Sequence, residues 1–213
     1  MQIKNGRLLM VNGVFENTTL DFEDGRICAI GAPEAERAID AQGNYVIPGL
    51  IDIHTHGAVG HDFSDGGTAD ITAMARYLAS QGVTSFLGTT MSLSLEELCR
   101  AAAYAAAYKK TPDPECAVLR GINMEGPFFS LAKKGAQSAE HILPPDYAFY
   151  HRVQEASGQS VRLVDLAPEL PGAMEFIAQA SKECRVSIAH TEDDYDTASR
   201  AFEAGASHVT HLF

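Results

Sequence analysis

Two histidines one residue apart, His54 and His56, close the apolar run IPGLIDIHTH. Residues i and i+2 of an extended strand share a face and lie roughly 6–7 Å apart, so both imidazoles can turn toward one point. Glu125 in AVLRGINMEG, His190 in RVSIAHTE and His211 in SHVTHLF repeat the pattern, each a metal-ligating side chain at the exit of an apolar, β-branched segment. Four imidazoles and a carboxylate gathered at one mouth form a donor set for a borderline divalent cation, with Zn²⁺ as the default and Fe²⁺, Mn²⁺ or Co²⁺ as alternatives. A glutamate from across the mouth can ligate one ion or bridge two. Such an ion brings the pKa of its water toward ~7 and polarises a carbonyl, so the implied chemistry is hydrolysis of an amide, ester or cyclic imide.

The other candidates carry plainer readings. His61 and His141 fall in loops after strands, where they could contact a substrate. His151 falls in a helical stretch and His208 at a strand start, both structural or exposed. The run Glu192, Asp193, Asp194 is expected to open a helix, where carboxylates favour the positive end of the dipole. Lys133 and Lys134 belong to a polar loop and either assist electrostatically or are solvated.

The elements that must position these residues follow from periodicity and punctuation. DITAMARYLASQ has helical apolar spacing ended by Gly82, and VTSFLGTT reads as a buried strand. Ser94-Leu95-Glu96-Glu97 is a capping box that opens a long Ala-rich helix. AVLRGINMEG, VRLVDLAPE, RVSIAHTE and SHVTHLF supply further strands, with PGAMEFIAQASKEC and DDYDTASRAFEAGA as helices between them. Six β units with intervening helices predict a parallel sheet, either a (β/α) barrel or a doubly wound fold. No glycine-rich phosphate loop follows the first strand, which favours the barrel. In a barrel the functional residues belong at the C-terminal strand ends, where these histidines and Glu125 fall. The expected fold is therefore an α/β protein of TIM type, incomplete after about six strands over residues 48–213. The chain is accordingly expected to be part of a longer protein. Residues 1–47 read instead as a small β-sheet, with hairpin turns at Asn12-Gly13 and Asp24-Gly25.

Composition narrows the partners. The 213 residues are 46% hydrophobic and 21% charged, ordinary for a chain that buries a core. A net charge of −12 and a pI near 5.0 argue against nucleic acid, which needs a basic surface, but not against a small anion held by a few local donors. No apolar segment approaches a membrane span, and MQIKNGRLLMVNG lacks a signal-peptide core, so a cytoplasmic location is expected. Cys28, Cys99, Cys116 and Cys184 form no CxxC pair and read as reduced structural thiols.

PGLIDIHTHG resembles the first barrel strand of the amidohydrolase superfamily. NMEGPFFSLAKKGAQ, LAPE, AHT and AFEAGASHVTHLF are more narrowly similar to the N-acetylglucosamine-6-phosphate deacetylase family, and the resemblance runs in order along essentially the whole chain. It implies a metal-dependent TIM-type hydrolase with a small N-terminal β-sandwich portion, which would lack the other half that the family builds from its C-terminal end. The implied reaction converts N-acetylglucosamine 6-phosphate to glucosamine 6-phosphate and acetate, in a homodimer when the protein is full length. Glu125, His190 and His211 would hold a principal ion. His54 and His56 would complete a second site sharing Glu125, so one or two ions are feasible.

The loop position where that family often carries a histidine substrate contact is Gln137 here, after Gly135-Ala136, which makes Ala136 and Gln137 the substrate-binding candidates. The general-base Asp is expected beyond Phe213, so no catalytic residue is assigned within this chain and the isolated chain is expected to be inactive. Alternatives are an N-acetylgalactosamine-6-phosphate deacetylase or another amidohydrolase such as a dihydroorotase. Those others commonly use a carboxylated lysine on the fourth strand, and VRLVDLAPE has none. A non-catalytic partial barrel acting as a scaffold is the reading from a different class.

Overall fold

Turn chemistry shapes the first part of the chain. β1 (Gln2–Leu9) pairs antiparallel with β2 (Phe15–Glu23), and β2 with β3 (Arg26–Ile30). Asp24 and Gly25 both take positive φ, 49° and 73°, the geometry whose twist suits a two-residue hairpin. β4 (Ala38–Asp40) and β5 (Tyr45–Val46) add to β1 in parallel, giving a single five-stranded sheet. The computed structural model describes residues 1–212, and the contacts divide it into a unit over Met1–Gly49 and a second that begins at Leu50.

The second unit alternates strand and helix. β6 (Leu50–Thr55) leads into a short hairpin of β7 (Gly57–Ala58) and β8 (His61–Asp62), then α1 (Thr68–Ser80) and β9 (Val83–Thr89). α2 (Leu95–Tyr108), β10 (Val118–Phe128), α3 (Tyr147–Ala156), β11 (Val161–Leu166), α4 (Ala173–Ala180), β12 (Arg185–Ile188), α5 (Tyr195–Ala204) and β13 (His208–Val209) follow. The six long-range strands are all parallel and lie in chain order, β6-β9-β10-β11-β12-β13, curled as the larger part of a (β/α) barrel.

Local chemistry sets the helix starts. Ser94 Oγ accepts from the Glu97 amide while the Glu97 carboxylate accepts from the Ser94 amide (3.0 Å), so the capping box at α2 forms as expected. The Asp146 and Asp194 carboxylates cap α3 and α5 by accepting from first-turn amides, without a reciprocal bond. The acidic run before α5 behaves differently from expectation. Only Asp194 caps the helix; Glu192 lies upstream and accepts from Ser130 Oγ at 3.0 Å, tying two barrel loops together.

The core lies between the sheet and its helices. Ile122, Met124, Val161 and Val164 face Leu98, Ala102 and Ala105 of α2, Tyr150 and Val153 of α3, and Phe176 of α4, all buried. The small alanines of α2 let that helix approach the strands closely. At Gly88 the approach is closer still, since a methyl group there would sit 2.0 Å from the buried Phe63 ring. This packing on one face leaves alternate residues of β10, Asn123 and Glu125, directed into the barrel interior.

Candidate metal centre

Glu125 is the hub. Its carboxylate is 2% exposed and sits among four imidazole Nε2 atoms: His56 at 2.9 Å, His211 at 2.9 Å, His190 at 3.1 Å and His54 at 3.4 Å. Oε1 faces His54, His190 and His211, and Oε2 faces His56. All five residues nominated from the sequence therefore converge.

They reach the hub from different local positions than strand ends alone suggested. Glu125 lies inside β10, three residues before its end, whereas His56, His190 and His211 lie just past their strands. β10 continues past Glu125 because it stays paired with β11 as far as Phe128, after its pairing with β9 has ended at Asn123. The expected sixth strand SHVTHLF is ordered as β only at His208–Val209, and its Phe213 lies outside the described residues.

Donor chemistry tests whether a cation fits. His190 Nδ1 is 2.8 Å from the Lys133 carbonyl, which can only accept, so Nδ1 carries the proton. A neutral His190 therefore aims its Nε2 lone pair at a carboxylate oxygen 3.1 Å away, which is repulsive unless a proton or cation lies between. Two ligand atoms each about 2.0–2.1 Å from a shared ion are separated by roughly 3.0–3.4 Å, close to the spacings found. The ligand atoms of His54, Glu125 and His211 all lie within 4.8 Å of one another. That trio crosses the division into a His190–His211 set and a His54–His56 set that the resemblance implied. The residues present fit a divalent ion.

Electrostatics agree. Burial pushes the Glu125 carboxyl up, but the surrounding His190, His54, His56 and His211 imidazoles outweigh it and hold the group well below the usual carboxylate range. The Glu125 carboxylate in turn raises the His54 and His190 imidazoles. Asp165, Glu125's cross-strand partner in β11, is fully buried, and burial pushes its carboxyl up to about 7.

Supporting contacts hold the hub from behind. Gln137 is buried; its Nε2 donates to Glu125 Oε2 at 2.9 Å and its Oε1 accepts from the Ser92 amide at 2.6 Å. Both ends of its amide are thus engaged within the protein and direct it to the carboxylate, while its neighbour Ala136 is exposed. Lys134 Nζ donates to the Gln137 carbonyl at 2.9 Å, which fixes the same loop. Asn123 Nδ2 lies 3.3 Å from His54 Nδ1, and the Phe129 ring lies 4.3 Å from that of His190. Asn123 could have been found as the residue two before Glu125, on the same strand face. Gln137 could not, because its role depends on how the loop folds back.

The remaining histidines stay apart from the hub. His61 pairs with Asp70 at 2.7 Å, His141 with Glu140 at 3.5 Å and His151 with Glu155 at 3.8 Å, while His208 Nδ1 meets Ser187 Oγ at 3.0 Å. No helix among the described residues is long and apolar enough to cross a membrane.

Comparison with known proteins places this centre in context. Residues 45–213 match the Amidohydrolase family. The chain is 34% identical over 219 residues to an N-acetylglucosamine-6-phosphate deacetylase of Bacillus subtilis (strain 168), covering 99% of this chain and 55% of that protein. It is 30% identical to an N-acetylgalactosamine-6-phosphate deacetylase of Escherichia coli O157:H7, over 97% of this chain and 55% of that one. A solved N-acetyl-D-glucosamine-6-phosphate deacetylase mutant from Mycobacterium smegmatis, in complex with N-acetyl-D-glucosamine-6-phosphate, superposes with a TM-score of 0.87 at 29% identity. That match covers 100% of this chain and 55% of the other. The chain spans about half the length of the relatives it matches.

Proposed function

The chain belongs to the amidohydrolase family, and from that premise we propose that it carries the divalent-metal centre of an enzyme that deacetylates N-acetylglucosamine 6-phosphate. The carrying observation is the set of four imidazole Nε2 atoms within 3.4 Å of the buried Glu125 carboxylate. The likeness to deacetylases over nearly the whole chain supports the choice of substrate.

His54, His56, Glu125, His190 and His211 would hold the ion, with Zn²⁺ the best match to an imidazole-rich set carrying one carboxylate. When bound, the ion would polarise the acetamide carbonyl and acidify water beside it. The reaction breaks the amide C–N bond: water supplies oxygen to the acetyl carbon and a proton to the departing amine, giving acetate and glucosamine 6-phosphate.

This chain's own residues prepare that step by rigidity. Gln137 holds Glu125 in one orientation, and the Lys133 carbonyl fixes the His190 tautomer so that Nε2 faces inward. Phe129 backs the His190 ring at 4.3 Å between centroids and limits its rotation. On the 133–137 loop, the exposed backbone at Ala136 is the part we assign to the sugar, because the Gln137 amide is committed to Glu125.

The test is acetate release from N-acetylglucosamine 6-phosphate by the native protein that carries this chain, before and after chelation and readdition of Zn²⁺. Metal-dependent release that falls at least 100-fold in Glu125→Ala and His54→Ala is expected. Turnover unaffected by chelation would overturn the reading. The likeness to a galactosamine enzyme favours a second substrate, N-acetylgalactosamine 6-phosphate, to be run in parallel.

A further inference from the structure

We infer that Asp165, Thr210 and Ser187 form a positioning device that aims the His211 imidazole; the inference rests on the metal-centre reading of His211.

The three side chains come from neighbouring strands and one strand exit, and all are buried. Thr210 Oγ1 donates to Asp165 Oδ1 at 2.8 Å. With that proton committed, the 2.8 Å contact between Ser187 Oγ and Thr210 Oγ1 requires Ser187 to donate. Ser187 Oγ is then left to accept from His208 Nδ1 at 3.0 Å. The chain of bonds has one direction, from His208 through Ser187 and Thr210 to Asp165.

The burial of Asp165 sets this series of hydrogen bonds apart from ordinary packing. Asp165 receives this hydroxyl on Oδ1, and its Oδ2 has no partner among the described residues. A buried carboxylate so sparsely satisfied is a poor stabiliser of a fold, because desolvation costs more than one such bond returns. Its contribution lies in where it holds Thr210.

Thr210 is held twice, by its hydroxyl on Asp165 and by its amide on the Ile188 carbonyl at 2.9 Å. The next residue is His211, whose backbone turns left-handed at φ 55° and sends Nε2 to Glu125 at 2.9 Å. His190 makes the same turn, but its ring is anchored on both nitrogens, through Lys133 and Glu125. Among the described residues His211 Nδ1 has no hydrogen-bond partner, and the side chain is 53% exposed. The direction of the His211 ring is therefore set from its backbone side, where Thr210 is clamped.

The experiment measures Zn²⁺ affinity by competition with a chromophoric chelator for the whole protein and four variants, alongside the His211 ring resonances of the metal-free protein. Thr210→Val keeps the shape and removes the hydroxyl; it should weaken Zn²⁺ binding 10–100-fold and shift the His211 resonances. Asp165→Leu removes the acceptor of the Thr210 hydroxyl and should weaken binding in the same direction. Thr210→Ser restores the hydroxyl and should bind within about threefold of wild type. Ser157→Ala removes a buried hydroxyl from a separate network with Gln154 and Ser160, and should leave affinity unchanged. Thr210→Val binding as tightly as wild type, or Ser157→Ala weakening binding equally, would overturn the inference. If the wild-type protein binds no Zn²⁺, the metal-centre reading fails instead. The resonances still decide the positioning claim, and a Thr210→Val protein with unmoved His211 signals refutes it.

Discussion

His190 and His211 enter the site by the same backbone device. Each adopts a left-handed conformation (φ 49° and 55°) directly after a residue whose amide bonds back to the preceding strand, Ala189 to Leu166 and Thr210 to Ile188, both at 2.9 Å. A non-glycine residue in this region costs about 1–2 kcal/mol, so the surrounding bonds must hold it there. The turn folds each ring back over the strand end, and the two rings meet edge to face at 5.1 Å beside Glu125.

Glu125→Gln keeps the shape of the hub and removes its charge. Divalent-metal content after dialysis, read by elemental analysis, is expected to fall below one-tenth of wild type. In the metal-free protein, the His54 and His190 imidazoles that Glu125 now raises should titrate at lower pH, as NMR will follow. The sign is fixed by linkage. These raised histidines contribute stability that is complete below the ordinary histidine value and lost as pH rises through their folded values. That loss should shrink in Glu125→Gln.

Gln137→Leu strands the buried Ser92 amide and takes from Glu125 Oε2 one of its two partners, leaving His56. Leaving such an amide unpaired costs about 1–3 kcal/mol, so the urea midpoint should drop without a change in slope. Metal affinity should fall as well, by roughly tenfold, since the carboxylate loses its orienting partner. An unchanged affinity would mean that Gln137 serves only the loop.

Asp165 sets a pH dependence of stability that Asp165→Asn removes. Burial lifts its carboxyl from 3.8 to about 7, so the folded state holds the proton more tightly than the unfolded chain. Its contribution is therefore complete below about pH 4 and is lost as pH rises toward 7. Measured in chelator between these limits, wild type should lose stability relative to Asp165→Asn by at most about 1.4 kcal/mol per pH unit. A flat difference would contradict this account.

Gly88→Ala places a methyl group 2.0 Å from the Phe63 ring in a fully packed region. Overpacking of this kind costs about 1–3 kcal/mol, seen as a lower thermal midpoint, and Phe63→Leu in the same chain should recover part of it.

The alternation of elements was legible in the sequence because local signals coincide with it. The capping box at Ser94, Gly82 after α1 and the Asp24–Gly25 turn each act within a few residues, where propensity and hydrogen bonding are decided locally. The five candidate ligands were also legible, because strand periodicity puts them at one mouth of any parallel barrel. What escaped was the job of residues whose partners are distant in the chain. Gln137 read as a substrate contact because loop sequence carries no record of folding back onto Glu125, and Asp165 read only as part of an apolar strand.

The barrel architecture and the candidate donor set were thus readable from side-chain type and period alone. Folding in three dimensions makes Glu125 the common partner of four imidazoles, brings Gln137 to it, and sets Thr210 and Asp165 behind His211. Those relations depend on which strands lie side by side and where two histidines turn left-handed. They are set by contacts 12 to 86 residues apart, which no local signal encodes.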